Sequence, residues 1–119
     1  MKIHVDKKES KEKTGLFSSA NVTEIFVKYE LNEEEQAIVN KHPDILKIKA
    51  WDYTYRGSEI NPSINMIIAK PGKEGLRMVA YNSSELIEYE NIINETAKKL
   101  KDHIMSLAGS GTGKTVTEI

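Results

Sequence analysis

The stretch 82–108 constrains the fold of this chain more than any other, because its apolar residues recur at helical spacing. The apolar set, with steps of seven, four, three, four and three residues, is Leu86, Ile93, Ala97, Leu100, Ile104 and Leu107. Such steps place side chains on one face of an α-helix, and Asn82 followed by Glu85 is typical of a capping box. We therefore predict a long amphipathic helix that packs on the rest of the chain, with dimerisation through the same face as the alternative.

Upstream of this helix, alternating apolar and polar residues predict strands at 2–5, 22–31, 45–55, 64–70 and 76–81. The clearest strand is the second, in which Ile25, Val27 and Tyr29 share one face. Asn32 begins a short helix, and Pro43 ends it. This order indicates an α+β fold. It contains an antiparallel sheet of four to five strands, one short helix, and a long C-terminal helix packed on one face of the sheet.

The composition limits the classes of protein to which the chain can belong. Its 119 residues include no cysteine and carry a net charge of −1, so disulfides are excluded and no bulk attraction to nucleic acid arises. The sequence contains neither a signal-peptide run nor a membrane-spanning run of apolar residues. We expect a single domain at residues 1–107 of a cytoplasmic protein, with no membrane partner.

Charged residues of both signs alternate along the segment 6–13. We interpret this segment as a solvated hairpin tip or a loose arm, and a basic arm that contacts phosphates is the alternative. Before it, Ile3 and Val5 are expected to face inward. After it, Leu16 and Phe17 are expected to return the chain to the core.

The string AGSGTGKT, from Ala108 to Thr115, resembles the phosphate-binding loop of P-loop NTPases, in which backbone N–H groups surround a phosphate ahead of a helix. The resemblance covers eight residues, and its surroundings differ from those in that family. A helix rather than a strand precedes the string, and only four residues follow it, too few for the required helix. We therefore predict no nucleotide site and a flexible Gly/Ser/Thr-rich tail at 108–119.

Residues that could carry catalysis do not form a recognisable constellation. His4, His42 and His103 lack the spacing of a metal site. Ser83 and Ser84 precede the long helix, where capping explains them. We therefore expect no catalytic residue, no metal and no cofactor, and we predict that the chain is not an enzyme.

The best candidate for a binding site or a subunit interface is an aromatic strand flanked by cations. Its members are Trp51, Tyr53, Tyr55, Lys47, Lys49 and Arg56. Such rings pack in the core, line a protein interface, or stack on a ligand or base whose phosphates the cations hold. We predict a small interaction domain that self-associates as a homodimer. The alternative is a small-molecule or nucleic-acid binder that uses this strand, although the net charge does not favour nucleic acid.

Overall fold

The computed structural model describes the backbone of residues 1–55 and 58–112 and the side chains of residues 1–53 and 60–108. In chain order the elements are β1 (Lys2–Lys13), β2 (Ser19–Glu30), α1 (Glu33–Lys41), a 3-10 helix (Pro43–Lys47), β3 (Tyr53–Tyr55), β4 (Ser58–Ile60), α2 (Ile64–Ile67), β5 (Leu76–Ala80) and α3 (Ser83–Thr112). The predicted α+β class and the long C-terminal helix are confirmed.

The main sheet contains three antiparallel strands in the order β1-β2-β5. β1 and β2 pair along all 12 residues of each strand, whereas β5 pairs with β2 only between Thr23 and Val27. The far end of the hairpin therefore runs beyond β5 as a two-stranded ribbon, which we call the arm (residues 10–22). The molecule measures 70 Å along its longest axis.

The prediction of four to five strands in one sheet is wrong. β3 and β4 form a separate two-stranded ribbon, and two predicted strands contain helix. In the described part of the segment 45–55 only Tyr53–Tyr55 forms a strand. The segment begins in a 3-10 helix that Pro43 opens, in the first-turn position that suits its fixed backbone angle. In the segment 64–70, α2 places Ile64 and Ile67 three residues apart, and both are buried.

β1 continues through the charged segment 6–13 that the sequence indicates as a hairpin tip or a loose arm. The ladder with β2 orders this segment, although its side chains are mostly exposed on both faces of the sheet. The hairpin turn lies instead at residues 14–18. The charged composition of the segment 6–13 therefore reflects the exposure of its side chains to solvent and does not indicate a loop.

α3 packs on the core with its predicted apolar stripe. Ile93, Leu100 and Ile104 are buried and join two apolar clusters, one around Tyr29 of β2 and one around Val39 of α1. The hydroxyl of Tyr29 donates a hydrogen bond to the carbonyl oxygen of Ile93 at 2.6 Å. This buried contact joins the middle strand of the sheet to α3.

The start of α3 matches the predicted cap with one difference. The Glu85 N–H donates to Asn82 Oδ1 at 2.9 Å, as predicted. The Glu85 carboxylate, however, accepts from the backbone N–H of Tyr81 at 2.6 Å rather than from that of Asn82. The cap therefore holds Tyr81, the residue that directly follows β5, against the first turn of α3.

The backbone of α3 is helical as far as Thr112. The first part of the predicted tail at 108–119 is therefore helical in the described chain. Residues 113–119, which include Lys114 of the P-loop-like string, lie outside the described residues.

α1 begins with a complete capping box whose carboxylate is buried. The Glu35 N–H donates to Asn32 Oδ1 at 2.7 Å, and the Asn32 N–H donates to Glu35 Oε1 at 2.9 Å. The same Oε1 lies 3.1 Å from the amino group of Met1, which fastens α1 to the start of β1. Burial alone would raise the pKa of Glu35, but the Asn32 hydrogen bond and the Met1 ammonium outweigh it and lower that pKa.

Candidate interaction surface

Two of the predicted aromatic residues, Trp51 and Tyr53, are only 7% and 4% exposed. The Trp51 ring lies 6.3 Å from that of Tyr29, and the Tyr53 ring packs edge-on against Tyr89 with centroids 5.0 Å apart. The Tyr53 hydroxyl accepts a hydrogen bond from the Val79 N–H at 2.9 Å. Within the described residues, Trp51 Nε1 is buried without a hydrogen-bond partner. These two rings therefore contribute to the core of the fold.

The other members of the predicted set are not gathered into one described surface. Lys47 lies 3.8 Å from Asp44, and Lys49 lies 3.1 Å from Asp52, in two separate exposed ion pairs. Tyr55 belongs to β3, but its side chain lies outside the described residues, as does the whole of Arg56. A binding role for this set stays a prediction.

The outer edge of β1 is a surface that the sequence analysis did not single out. Within the described residues, β1 pairs with β2 alone, which leaves the backbone groups on the other edge of residues 2–11 without a strand partner. Ile3 and Val5 lie on the face of the sheet that carries Tyr29 and α3, yet they are 37% and 40% exposed. Both side chains therefore lie on the inner face of the sheet, as expected, but they are only partly buried there.

The tip of the arm presents Leu16 and Phe17, which are 83% and 96% exposed. The Thr14 N–H donates to the Ser18 carbonyl at 3.1 Å, and the hydroxyls of the same two residues are hydrogen-bonded at 2.9 Å. These bonds close the turn and leave the two apolar side chains in solvent, so the expectation that they return to the core is wrong. Aromatic side chains are enriched among the residues that carry the binding energy at protein interfaces.

An apolar groove of about 390 Å³ lies where α1, the 3-10 helix and α3 meet. Its lining consists of Lys41, His42, Pro43, Asp44, Ile45, Ile48, His103 and Leu107. Ile48 remains 43% exposed, so the groove is open. Because Met1 packs on the cluster that contains Ile45 and Ile104, the groove belongs to the end of the fold at which β1 begins.

The face of the sheet opposite α3 carries paired charges. Arg77 donates to Glu24 at 2.6 Å and to Glu12 at 3.1 Å, and His4 and Glu30 are hydrogen-bonded at 2.7 Å. The hydrogen bond from Arg77 lowers the pKa of Glu24, and the hydrogen bond with His4 lowers that of Glu30. This face is therefore neutralised internally and presents no basic field for nucleic acid.

Among the described side chains, no group of three or more His, Asp or Glu residues is placed to hold a metal ion. No helix in the described ranges is both long enough and apolar enough to cross a membrane. None of the protein-family models, curated proteins or solved structures with which the chain was compared matches it. The function is therefore inferred from the edge of β1, the arm tip and the groove.

Proposed function

We propose that this chain is a non-enzymatic interaction domain that forms a homodimer by pairing β1 with the β1 of a second copy. The observation that carries the proposal is the outer edge of this 12-residue strand, beside which Ile3 and Val5 stay exposed. Such an edge offers a row of N–H and C=O groups that another strand satisfies. Lysines along an edge strand oppose pairing with unrelated strands, so the matching partner has to complement their charge.

A second, antiparallel β1 supplies that complement. A two-fold axis through the strand makes the residue pairs on its two sides equivalent. With Lys7 on the axis, Asp6 opposes Lys8 of the second copy; with Lys8 on the axis, Glu9 opposes Lys7 of the second copy. Opposite charges placed directly across two antiparallel strands stabilise the pair. In either register the like-charged pair lies on the axis: Lys8 is exposed there, and the charge of Lys7 is neutralised by its ion pair with Glu90 of α3.

The mass of the particle in solution tests the proposal. Light scattering on a sizing column should give twice the chain mass of 13.4 kDa. Val5→Asp, which places a charge beside the edge, should shift the particle toward the monomer. Ile87→Asp is the matched control, because Ile87 is 59% exposed but lies on α3. A wild-type monomer, or a dimer that Val5→Asp leaves unchanged, would refute the pairing.

Cysteine variants test the register, because the natural chain contains no cysteine. Directly opposite residues of antiparallel strands have Cα atoms about 4.5–5.5 Å apart, a separation that a disulfide spans. Mild oxidation should therefore link two copies of Lys7→Cys or of Lys8→Cys. Lys2→Cys should stay unlinked, because its two copies would lie roughly 33–40 Å apart at about 3.3 Å per residue. Equal linking of all three variants would indicate random collision.

A further inference from the structure

We infer that each arm tip docks in the apolar groove of the second copy, so that Leu16 and Phe17 contact the partner near Pro43, Ile48 and Leu107. This inference rests on the homodimer proposed above and names the contact that would hold it together. It accounts for two exposed apolar features of the chain, the tip and the groove, by a single two-fold arrangement.

The direction of β1 brings these two features to the same place. In an antiparallel pair, the arm of one copy extends past the end of the other copy at which β1 begins. With the axis at Lys7 or Lys8, Leu16 lies nine or eight residues from the axis and the partner's Lys2 lies only five or six, respectively, so the tip passes that end by roughly 7–13 Å at about 3.3 Å per residue. The groove belongs to this end, because α1 follows β2 there and Met1 packs on the groove's cluster.

The chemistry of the two surfaces is complementary. Phe17 and Leu16 are almost fully exposed, and the groove offers Pro43, Ile45 and Ile48 in an open depression of about 390 Å³. Aromatic side chains buried in a partner's pocket carry a large share of the binding energy at protein interfaces. The tip would therefore be the anchor of the dimer, and the strand pairing would set its register.

The small area of the strand edge also favours a further contact between the two copies. A stable protein interface buries about 800 Å² on each partner, whereas one edge of β1 offers a narrow row of backbone groups flanked by charged side chains. Two tip-in-groove contacts, one on each side of the axis, enlarge the interface without adding another element. Because the two-fold makes both contacts equivalent, the assembly closes at two copies instead of growing into a filament.

The first experiment removes the anchor. Phe17→Ser should raise the dimer dissociation constant at least tenfold and leave the urea unfolding midpoint of the monomer unchanged, because the side chain has almost no contact within its own chain. Met66→Ser is the matched control, since Met66 is 56% exposed and lies outside the groove. Ile48→Ser should weaken the dimer in the same way from the receiving side.

The second experiment locates the contact. Phe17→Cys and Ile48→Cys chains carrying different tags are mixed and treated with a short bismaleimide crosslinker. Phe17→Cys should join Ile48→Cys between chains and should not join a Met66→Cys chain.

If wild-type dimers form but Phe17→Ser dimerises equally well and no such crosslink appears, the docking is refuted while the homodimer stands. A wild-type chain that stays monomeric overturns both. Loss of binding to phosphatidylserine vesicles in Phe17→Ser, with the dimer intact, would assign the tip to a lipid surface and overturn the docking.

Discussion

Replacing Glu35 with glutamine tests whether a buried charge fastens α1 to the start of β1. The Glu35 side chain is 3% exposed, and its Oε1 lies 3.1 Å from the Met1 amino group, which is itself buried. Glutamine can still accept the hydrogen bond from the Asn32 N–H that closes the capping box. The substitution therefore removes the negative charge while keeping the local helix start.

The expected loss follows from leaving one member of a buried ion pair without its partner. Such losses are about 3–5 kcal/mol, a large part of the roughly 5–15 kcal/mol that stabilises an ordinary domain. With a urea dependence of about 1–3 kcal/mol per molar, a loss of about 3 kcal/mol lowers the unfolding midpoint by roughly 1–3 M. Urea titration followed by circular dichroism measures this shift directly.

The pH dependence gives an independent check on the same contact. Because the fold lowers the pKa of Glu35, its contribution is present above the ordinary value of 4.5 and is lost as the pH falls through the folded pKa. The difference in unfolding free energy between wild type and Glu35→Gln should therefore narrow as the pH falls through the acid range.

Glu34→Gln is the matched control, because Glu34 lies in the same turn of α1 but is exposed. It removes the same charge from the helix N-terminus, an effect of about 0.3–1 kcal/mol. Equal urea midpoints for Glu34→Gln and Glu35→Gln would refute the reasoning, since the loss would then come from the helix dipole alone.

Two substitutions and one titration test the packing around β2. Gly75→Ala should lower the free energy of unfolding by about 1–3 kcal/mol, because a Cβ at this position would lie 2.5 Å from the Val27 carbonyl oxygen; urea unfolding measures the loss. Tyr29→Phe removes the hydrogen bond to Ile93 and should cost about 0.5–1.5 kcal/mol in the same assay. Burial raises the pKa of Tyr89 to about 12 and raises that of Tyr29 as well, so the stability these phenols confer should be intact below pH 10 and be lost as the pH rises through each group's raised pKa. Tyrosinate absorbance in the folded protein would contradict this if both groups titrated near 10.

The parts of the fold that sequence predicts well are those in which a strong period and a terminal signal coincide. The apolar stripe of α3 runs through Ile93, Leu100 and Ile104, and Asn82 caps it. At α1 the residue types of Asn32 and Glu35 alone indicate the capping box that the structure contains. In each case local preference and burial favour the same element, so tertiary contacts have nothing to override.

The errors arise where a short apolar run fits two periods. Ile64, Met66 and Ile68 alternate as in a strand, but Ile64 and Ile67 are also one helical turn apart, and four residues cannot decide between these patterns. The core decides, because Ile64 and Ile67 are buried while Met66 is 56% exposed. Ile64 and Ile67 are buried because α3 and the 3-10 helix pack on their face of α2. A prediction from neighbouring residues alone cannot include those contacts.

The same limit explains why the candidate surfaces were missed. Ile3 and Val5 alternate like any half-buried strand, and nothing local shows that α3 covers β2 and leaves β1 open. Leu16 and Phe17 read as core residues because apolar side chains usually are. Of the set predicted as the best binding candidate, Trp51 and Tyr53 lie in the core, which is one of the placements that the sequence leaves open for these rings.

The arm connects these exposed residues to the proposed association. Among the described residues the arm is a two-stranded ribbon with no third strand beside it, and such ribbons are only marginally stable alone in water. Arg77 holds Glu12 at the base of the arm, while the turn at the tip relies on the two hydrogen bonds between Thr14 and Ser18. Docking of the tip would therefore both order the arm and join the copies, and the ordering would reduce the net affinity gained from burying Phe17. This coupling implies that the strength of a dimer built in this way depends on the stiffness of the arm as well as on the fit of the groove.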